Sequence, residues 1–350
     1  MENFNQFYKE TKQKIEIAMN KYNEELLKEN IKEVHDALLL FTKLNSGGKY
    51  LRGTLVDLGY KIAGFNDDAY IPLALATEVF QTSILIHDDI IDNATKRRGK
   101  NTIPASIKLK YNEKKETKFI KKRDNYANSV GIVTADIGLY KATNLIIQNY
   151  PKNSKILNLY HEIVLNTLKG EMLDINLPFK EEFYEENNNL ENKIFTIYKL
   201  KTAYYSVVGP LILGMTLGRT SQSKIKTMEN ILMDIGIAYQ IKDDILGIYG
   251  ETKATGKTNS DIEEYKQTIL YAYTLNTKYK EELKKYYGKA NKTDKIKEIF
   301  NKSGAKKYAE DMLTKLLNNS LNKIENTKFI RNEYKDILKG FIKYLNVRMK

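Results

Sequence analysis

Apolar side chains recur at intervals of three and four residues along most of the chain, the spacing of one face of an α-helix. The clearest case is Ile71–Ile91, in which Pro72 suits the first helical turn. Its recurring positions are Leu75, Val79, Thr82, Ile86 and Ile90. Similar patterns predict helices over residues 134–147, 155–176, 191–205, 222–246 and 263–275. The alternation typical of strands is scarce, so the predicted fold class is all-α.

Turn-forming residues interrupt these patterns and predict loops over residues 45–48, 93–101, 178–189 and 249–260. Only 5 prolines occur in 350 residues, which favours long uninterrupted helices. Neither an internal repeat nor a clean linker is visible. We therefore expect residues 1–350 to form a single domain, with a basic helical part from about residue 271.

The net charge of +13 is concentrated in two tracts. Residues 96–123 hold twelve Lys and Arg but two Glu, and the chain from residue 271 onward carries a net +11. A basic chain could bind nucleic acid, but no nucleic-acid motif is visible. The tracts could equally attract a small anionic substrate or be solvated. For the Lys-rich segment near residues 108–124 the alternatives are a lid, a partner surface or an insertion without function, and we favour the last.

The composition restricts the possible chemistry. The chain has no Cys and three His, which excludes disulfides, thiol nucleophiles and Cys-ligated metals and disfavours a His-rich metal centre. A divalent metal would have to bind carboxylates, which favours Mg²⁺. The first ten residues are polar and no run of 18 apolar residues occurs, so we expect a cytoplasmic protein without a transmembrane segment.

An acidic cluster ends the helix predicted at Ile71–Ile91. Asp88 and Asp92 lie one turn apart on one face, and Asp89 lies about 100° around the helix. Carboxylates this close repel one another unless cations lie between them. The cluster is therefore a candidate metal site, and the alternative interpretation is a solvated helix end.

A second acidic pair, Asp243 and Asp244, ends another apolar helical pattern, and Gln240 shares a face with Asp244. Neither acidic cluster alone is specific. Together, at the ends of two buried helices, they predict two sets of carboxylates that face each other.

Basic residues accompany both clusters. Residues 47–53 (GGKYLRG) place Lys49 and Arg52 at a Gly-rich helix start, where backbone N–H groups and cations suit a phosphate. The alternative is an ordinary capped turn. The other candidate anion donors are Arg97, Arg98, Lys201, Lys257 and Lys266.

The order GGKxxRG, DDxxD followed by RRG, KTAxY, QxxDDxxG and GKxxxDIxxxK resembles that of the trans-prenyl (polyprenyl) diphosphate synthases, most closely the farnesyl/geranylgeranyl branch. The resemblance covers residues 45–268. It implies an antiparallel helical bundle around a central cavity (the isoprenoid synthase fold) and a homodimer. Gly247 stands where the family has a third Asp, and Ala135 precedes Asp136 where the family often has Gly.

The resemblance also implies a prenyltransferase that joins isopentenyl diphosphate to an allylic diphosphate with a cluster of about three Mg²⁺ ions. The metal ligands would be Asp88, Asp89, Asp92, Asp243 and Asp244, which with Lys201 would form the catalytic group. The allylic diphosphate would be bound by Arg97, Lys201, Thr202, Gln240, Lys257 and Lys266. Isopentenyl diphosphate would be bound by Lys49, Arg52, Gln81 and Arg98. The released diphosphate is the expected base.

Product length should depend on residues that precede Asp88 on its helix. Ser83 and Ile84 stand where farnesyl-making relatives carry bulky aromatics, and a small Ser83 would open the tunnel past C15. Phe80 could then form the floor at about C20, if each isoprene unit adds about one helical turn of depth. Ordinary core packing is the alternative role for Phe80. The expected enzyme is a geranylgeranyl diphosphate synthase, with farnesyl diphosphate as an intermediate or product.

Two other functions fit part of the pattern. A class I terpene cyclase would use both acidic clusters but would not need the GGKxxRG phosphate donors. A catalytically silent subunit would be expected to lose the acidic or basic clusters, and both are present.

Overall fold

Helices make up nearly all of the part of the chain that the computed structural model describes, namely residues 2–97, 99–112, 122–180, 190–250, 262, 265–289 and 291–347. The first helices are α1 (Glu2–Leu26), α2 (Lys32–Asn45), α3 (Leu51–Ile62), α4 (Ile71–Ile91), α5 (Ile103–Asn112), α6 (Arg123–Asn149) and α7 (Ser154–Asn176). A 3₁₀ turn (Leu177–Lys180) follows, then α8 (Leu190–Ile197), a π-helix (Tyr198–Val208), α9 (Gly209–Leu217) and α10 (Gln222–Tyr249). The last helices are α11 (Ile269–Leu275), α12 (Lys280–Tyr286), α13 (Thr293–Ser303), α14 (Ala305–Asn326) and α15 (Asn332–Val347).

The predicted all-α fold is confirmed, and α4 has the predicted bounds. Helices α7 and α10 match their predictions to within a few residues, whereas α6 extends beyond the predicted 134–147 at both ends. The predicted loop over residues 93–101 contains a small antiparallel hairpin, β1 (Lys96–Arg97) paired with β2 (Lys100–Asn101). Its turn includes Gly99, whose φ of 75° suits glycine.

Two helix predictions were wrong in part. The helix predicted over 263–275 begins at Ile269, because Thr268 is extended and its side chain accepts a hydrogen bond from the Tyr271 N–H. The helix predicted over 191–205 changes at Tyr198 from α-helical to π-helical winding. Arg98, Lys257 and most of the Lys-rich segment lie outside the described residues.

Helices α3 and α9 cross with their backbones almost in contact at the centre of the molecule. A Cβ on Gly59 would lie 1.9 Å from the Leu211 carbonyl oxygen, and one on Gly214 would lie 2.0 Å from that of Val56. The two backbones can approach this closely only because glycine has no Cβ at these positions. Because α9 is apolar on all sides, it is buried in the core.

Helix α4 packs against α3 and α6, and the π-helix packs between α7 and α10. The carboxyl ends of α4, α7 and α10 and the start of α3 surround one central cavity of about 630 Å³. The fold therefore brings the predicted acidic clusters and the GGKYLRG turn to the same place.

Among the described residues, one helix, α6, is long and apolar enough to cross a membrane by length and composition. About 33% of its most apolar stretch is buried, and the core helices of other proteins can have the same length and composition.

Candidate active site

The central cavity brings together most of the residues that the sequence singles out. Its lining includes Lys49, Arg52, Gln81, Asp88, Asp92, Arg97, Lys201, Thr202, Gln240, Asp243, Asp244 and Lys266. Asp89 is almost fully buried and, like Phe80, Ser83 and Ile84, does not line the cavity.

Arg97 holds the first acidic cluster. Its Nη2 lies 2.5 Å from Asp88 Oδ2 and its Nε lies 2.6 Å from Asp89 Oδ1. Burial alone would lower the pKa of Arg97, but the two carboxylates outweigh burial and raise it. The hairpin β1–β2 places this guanidinium directly after the end of α4, so Arg97 joins Asp88 in the cavity to Asp89 behind it.

Lys201, on the π-helix, lies among three carboxylates. Its Nζ is 2.6 Å from Asp174 Oδ2, 2.9 Å from Glu171 Oε2 and 3.8 Å from Asp88 Oδ1. Burial would lower the pKa of Lys201, but Asp174 and Glu171 raise it overall, so the ammonium stays charged. Burial raises the pKa of Glu171, and Lys201 opposes that shift.

Sequence reasoning missed Glu171 and Asp174. Their spacing on the last turns of α7, after Gly170, was the available signal, but a carboxylate pair at i and i+3 also suits a solvated helix.

Two glycines allow the π-helix to approach its neighbours. A Cβ on Gly170 of α7 would lie 2.3 Å from the Lys201 backbone nitrogen, and one on Gly236 of α10 would lie 2.5 Å from Ala203 Cβ. The π-helix therefore packs with direct backbone contact on both sides. This close packing brings the Lys201 ammonium within reach of both α7 and the end of α4.

A chain of hydrogen bonds holds the second acidic pair. Thr202 Oγ1 donates to Gln240 Oε1 at 2.6 Å, and Gln240 Nε2 donates to Asp244 Oδ1 at 2.8 Å. The Tyr198 hydroxyl donates to Asp244 Oδ2. Asp244 is 1% exposed, whereas its neighbour Asp243 is exposed to the cavity. Both carboxylate oxygens of Asp244 are thus already bound by the protein.

The GGKYLRG turn forms the other half of the cavity. Gly47 has φ of 70° and Tyr50 has φ of 48°, and the buried Tyr50 hydroxyl donates to the Asn45 carbonyl at 2.8 Å. The Arg52 guanidinium donates to Ser206 Oγ at 2.7 Å and lies 4.4 Å from the centre of the Tyr205 ring. The turn therefore presents Lys49 and Arg52 at the start of α3, an arrangement suited to a phosphate.

Glu78 is a further cavity residue that sequence reasoning missed. Its Oε1 accepts a hydrogen bond from the Gly53 N–H at 2.8 Å, which fastens the first turn of α3 to α4. A carboxylate beside a helix N-terminus is favourable.

The donor set fits Mg²⁺. The carboxylates of Asp88, Asp92, Asp174 and Asp243 line one cavity and offer the hard oxygen ligands that this ion takes. Within the described residues, no three His, Asp or Glu side chains are gathered as they would be around a bound ion. Lys201 instead pairs with Asp88 and Asp174, and Arg97 pairs with Asp88.

The three candidate chain-length residues lie behind the cavity wall. The Phe80 ring meets Tyr205, which lines the cavity, edge to face at 5.9 Å, and Tyr160 at 6.0 Å. Ser83 is fully buried and faces α6, where a Cβ on Gly138 would lie 2.1 Å from its hydroxyl and 2.6 Å from the Phe41 ring. Phe41 thus lies beside Ser83 on the side that faces α6.

Comparisons with known proteins agree with this architecture. The sequence model of a family described as "Polyprenyl synthetase" matches residues 36–303. A probable farnesyl diphosphate synthase of Dictyostelium discoideum is 30% identical over 268 residues, covering 73% of this chain and 70% of that protein. A chloroplastic monoterpene synthase of Artemisia spiciformis is 28% identical over 298 residues, covering 80% of this chain and 70% of that protein.

The fold is also that of solved structures. A geranylgeranyl pyrophosphate synthase from Corynebacterium glutamicum, crystallised with isoprenyl diphosphate and magnesium, superposes with a TM-score of 0.86 at 23% identity, over 99% of each chain. This likeness confirms the antiparallel bundle of the isoprenoid synthase fold. The chain therefore belongs to the polyprenyl synthetase family, the trans-isoprenyl diphosphate synthases, and is a prenyltransferase.

Proposed function

We propose that this enzyme condenses isopentenyl diphosphate with allylic diphosphates and that its main product is geranylgeranyl diphosphate (C20), with farnesyl diphosphate as an intermediate or product. The observation that carries this proposal is the division of the cavity into two halves. One half combines carboxylates with cations, and the other presents cations at a helix start. Two diphosphates with different needs fit such a cavity.

The acidic half suits the allylic diphosphate. Asp88, Asp92 and Asp243 would hold Mg²⁺, which when bound stabilises the negative charge of the departing diphosphate. Lys201, Arg97 and Lys266 add fixed positive charge where that charge develops, and such electrostatic stabilisation favours ionisation of the C–O bond. The roles of Lys257 in binding the allylic diphosphate and of Asp89 in binding Mg²⁺ remain predictions.

The basic half suits isopentenyl diphosphate, which does not need to ionise. Lys49 and Arg52 lie at the start of α3, Gln81 lies on α4, and all three line the cavity. A role for Arg98 in this half remains a prediction. The alkene of isopentenyl diphosphate supplies the electron pair for the new C–C bond to the allylic cation. The proton then lost from the condensed cation passes to the released diphosphate.

The C20 product rests on the position of Phe80. Its ring stands behind Tyr205 and two turns before Asp88, where it would limit a growing chain. Replacing Phe80 with Ala should lengthen the product, and an unchanged length would refute this floor. Phe41→Ala is the matched variant, because Phe41 of α2 lies beside Ser83. A longer product from Phe41→Ala but not from Phe80→Ala would show that Phe41 forms the floor instead.

The test is to incubate the purified enzyme with Mg²⁺, isopentenyl diphosphate and each of the C5, C10 and C15 allylic diphosphates, and to size the products. A C20 end product is expected, and a C15 stop would refute the proposed length. Asp243→Asn removes a carboxylate proposed to hold Mg²⁺ and should reduce turnover by about 10²-fold or more, since a bound metal contributes several kcal/mol. Asp234→Asn is the control, since Asp234 lies on the same helix but pairs with Lys323 outside the cavity.

A terpene cyclase is the second candidate function, because the Artemisia relative is named a monoterpene synthase. A cyclase has one diphosphate substrate and no use for the cations of the α3 start. The same incubation separates the two, since a cyclase would release hydrocarbon without elongation.

We also propose a homodimer that forms through α6 and α7. Both helices expose apolar side chains at the spacing of helix–helix contacts, seven residues on α6 and alternating three and four on α7. These are Tyr126, Val133, Tyr140 and Ile147 on α6, and Leu165, Leu168, Met172 and Ile175 on α7.

Light scattering after size exclusion tests this dimer. Val133→Glu should yield monomers, whereas Ile17→Glu, which changes an equally exposed apolar residue on α1, should not. A dimeric Val133→Glu variant would refute the interface.

A further inference from the structure

Tyr198 is a buried tyrosine whose hydroxyl the proposed reaction does not use. It is the first residue of the π-helix and is 4% exposed. Its hydroxyl donates to Asp244 Oδ2 and accepts a hydrogen bond from the Ile269 N–H at 3.0 Å. The phenol thus uses its single donor and an acceptor position on two different helices, α10 and α11.

Asp244 is held from two sides by the same π-helix. Tyr198 binds one carboxylate oxygen directly, and Thr202, four residues later, reaches the other oxygen through Gln240. Lys201 lies between these two anchors in sequence. The orientation of the Asp243–Asp244 pair relative to the Lys201 ammonium is therefore fixed by hydrogen bonds at both ends.

The second contact of Tyr198 reaches the segment that carries Lys266. Ile269 is the first residue of α11, and Lys266, Gln267 and Thr268 precede it without helical structure. The Tyr198 hydroxyl binds the backbone at the end of this short segment. One phenol therefore joins the three elements that carry Lys201, Asp243 and Lys266, all of which line the cavity.

We propose that Tyr198 is a positioning residue that fixes the second acidic pair and the Lys266 segment against the π-helix. This inference rests on the proposed function, in which this half of the cavity binds Mg²⁺ and a diphosphate. Phenylalanine would keep the ring but would remove the donor to a buried carboxylate and the acceptor for a backbone N–H. A hydrogen bond to a charged group corresponds to about a 10- to 100-fold change in an equilibrium constant. Tyr198→Phe should therefore bind Mg²⁺ with inorganic diphosphate about 10- to 100-fold more weakly.

The experiment is calorimetric titration of inorganic diphosphate into the enzyme in the presence of Mg²⁺, for wild type, Tyr198→Phe and Tyr308→Phe. Tyr308 is a matched control, because its hydroxyl donates to the Glu191 carboxylate at 2.6 Å outside the cavity. The KM for isopentenyl diphosphate is measured alongside and should not change in either variant, since among the described residues the Tyr198 hydroxyl bonds to Asp244 and the Ile269 N–H, outside the basic half.

Weaker binding in Tyr198→Phe alone, with an unchanged KM for isopentenyl diphosphate, would support the proposal. Wild-type affinity in Tyr198→Phe, or equal weakening in both variants, would overturn it. Absence of binding by the wild type would instead refute the proposed function on which it rests.

Asp244→Asn tests the same link from its other end, also if Tyr198→Phe does not fold. It should weaken the binding similarly, and the double variant should lose little more than either single one. Wild-type affinity in Asp244→Asn, or fully additive losses, would show that Tyr198 does not act through Asp244.

Discussion

Lys201 pairs with three carboxylates of the cavity region, and its replacement by Met should have two separate consequences. Met keeps much of the length of the side chain but removes the ammonium. Asp174 and Glu171, which lie 2.6 and 2.9 Å from Nζ, then lose their common partner. The variant should therefore lose stability without substrate and activity with it.

The size of both losses follows from burial and from charge. Removing one partner of a buried ion pair lowers the free energy of unfolding by about 3–5 kcal/mol. The Lys201 side chain is 20% exposed, so the lower figure applies. For 350 residues, a loss of about 3 kcal/mol lowers Tm by roughly 4 °C. Removing one preorganised positive donor from a reacting anion lowers kcat by about 10²–10³-fold.

Thermal unfolding without ligands measures the first effect, and single-turnover release of diphosphate measures the second. Lys295→Met is the control, because Lys295 also bridges two carboxylates, Glu282 and Glu298, but at the surface. It should change neither quantity noticeably. A Lys201→Met enzyme with wild-type Tm and turnover would refute the role of this ammonium.

Three further changes test other parts of the structure. Burial raises the pKa of Asp57, and Thr11 and Lys61 oppose that shift only in part. The free energy of unfolding that this group contributes is therefore lost as pH rises through the raised pKa. In urea unfolding, Asp57→Asn should gain more stability relative to wild type at pH 7 than at pH 4. Gly170→Ala places a Cβ 2.3 Å from the Lys201 backbone and should lower the free energy of unfolding by about 1–3 kcal/mol. Gly131→Ala should cost less, because its Cβ would meet only side chains, the end of Ile90 at 2.8 Å and Pro104 at 3.4 Å. Arg52→Gln should raise the KM for isopentenyl diphosphate about tenfold or more. It should leave the calorimetric binding of Mg²⁺ and inorganic diphosphate unchanged. Weaker binding of both isopentenyl diphosphate and inorganic diphosphate would contradict the division of the cavity into two separate halves.

The sequence was sufficient to predict the helices whose limits depend on local residues. Helix α4 has its predicted bounds because Pro72 suits its first turn and apolar residues follow at helical spacing as far as the acidic cluster. The start of α11 was missed because the Thr268 cap depends on one hydrogen bond that periodicity does not indicate.

The π-helix could not be predicted from its own residues. Its apolar positions fit an α-helix equally well, and its packing depends on Gly170 and Gly236, which are distant in sequence and belong to other helices. The roles of Glu171 and Tyr198 depend on the same packing. Local patterns therefore identified many residues of the cavity, but they missed Glu78 and Asp174, which also line it, and Tyr198, which holds Asp244 in place.

The two acidic pairs illustrate this difference most clearly, because adjacent residues on a helix point about 100° apart. Asp88 and Asp243 are accessible from the cavity, whereas Asp89 and Asp244 are almost fully buried and bind Arg97 and Tyr198 respectively, although Asp244 also borders the cavity. In each pair one carboxylate faces the cavity and the next fastens the helix to a neighbouring element. The sequence shows two equivalent aspartates in each pair, but their surroundings predict different consequences. Substitution of Asp243 should act mainly on turnover. Substitution of Asp88, Asp89 or Asp244 should also lower Tm, because a buried donor (Arg97 for the first two, Tyr198 for Asp244) then loses a partner.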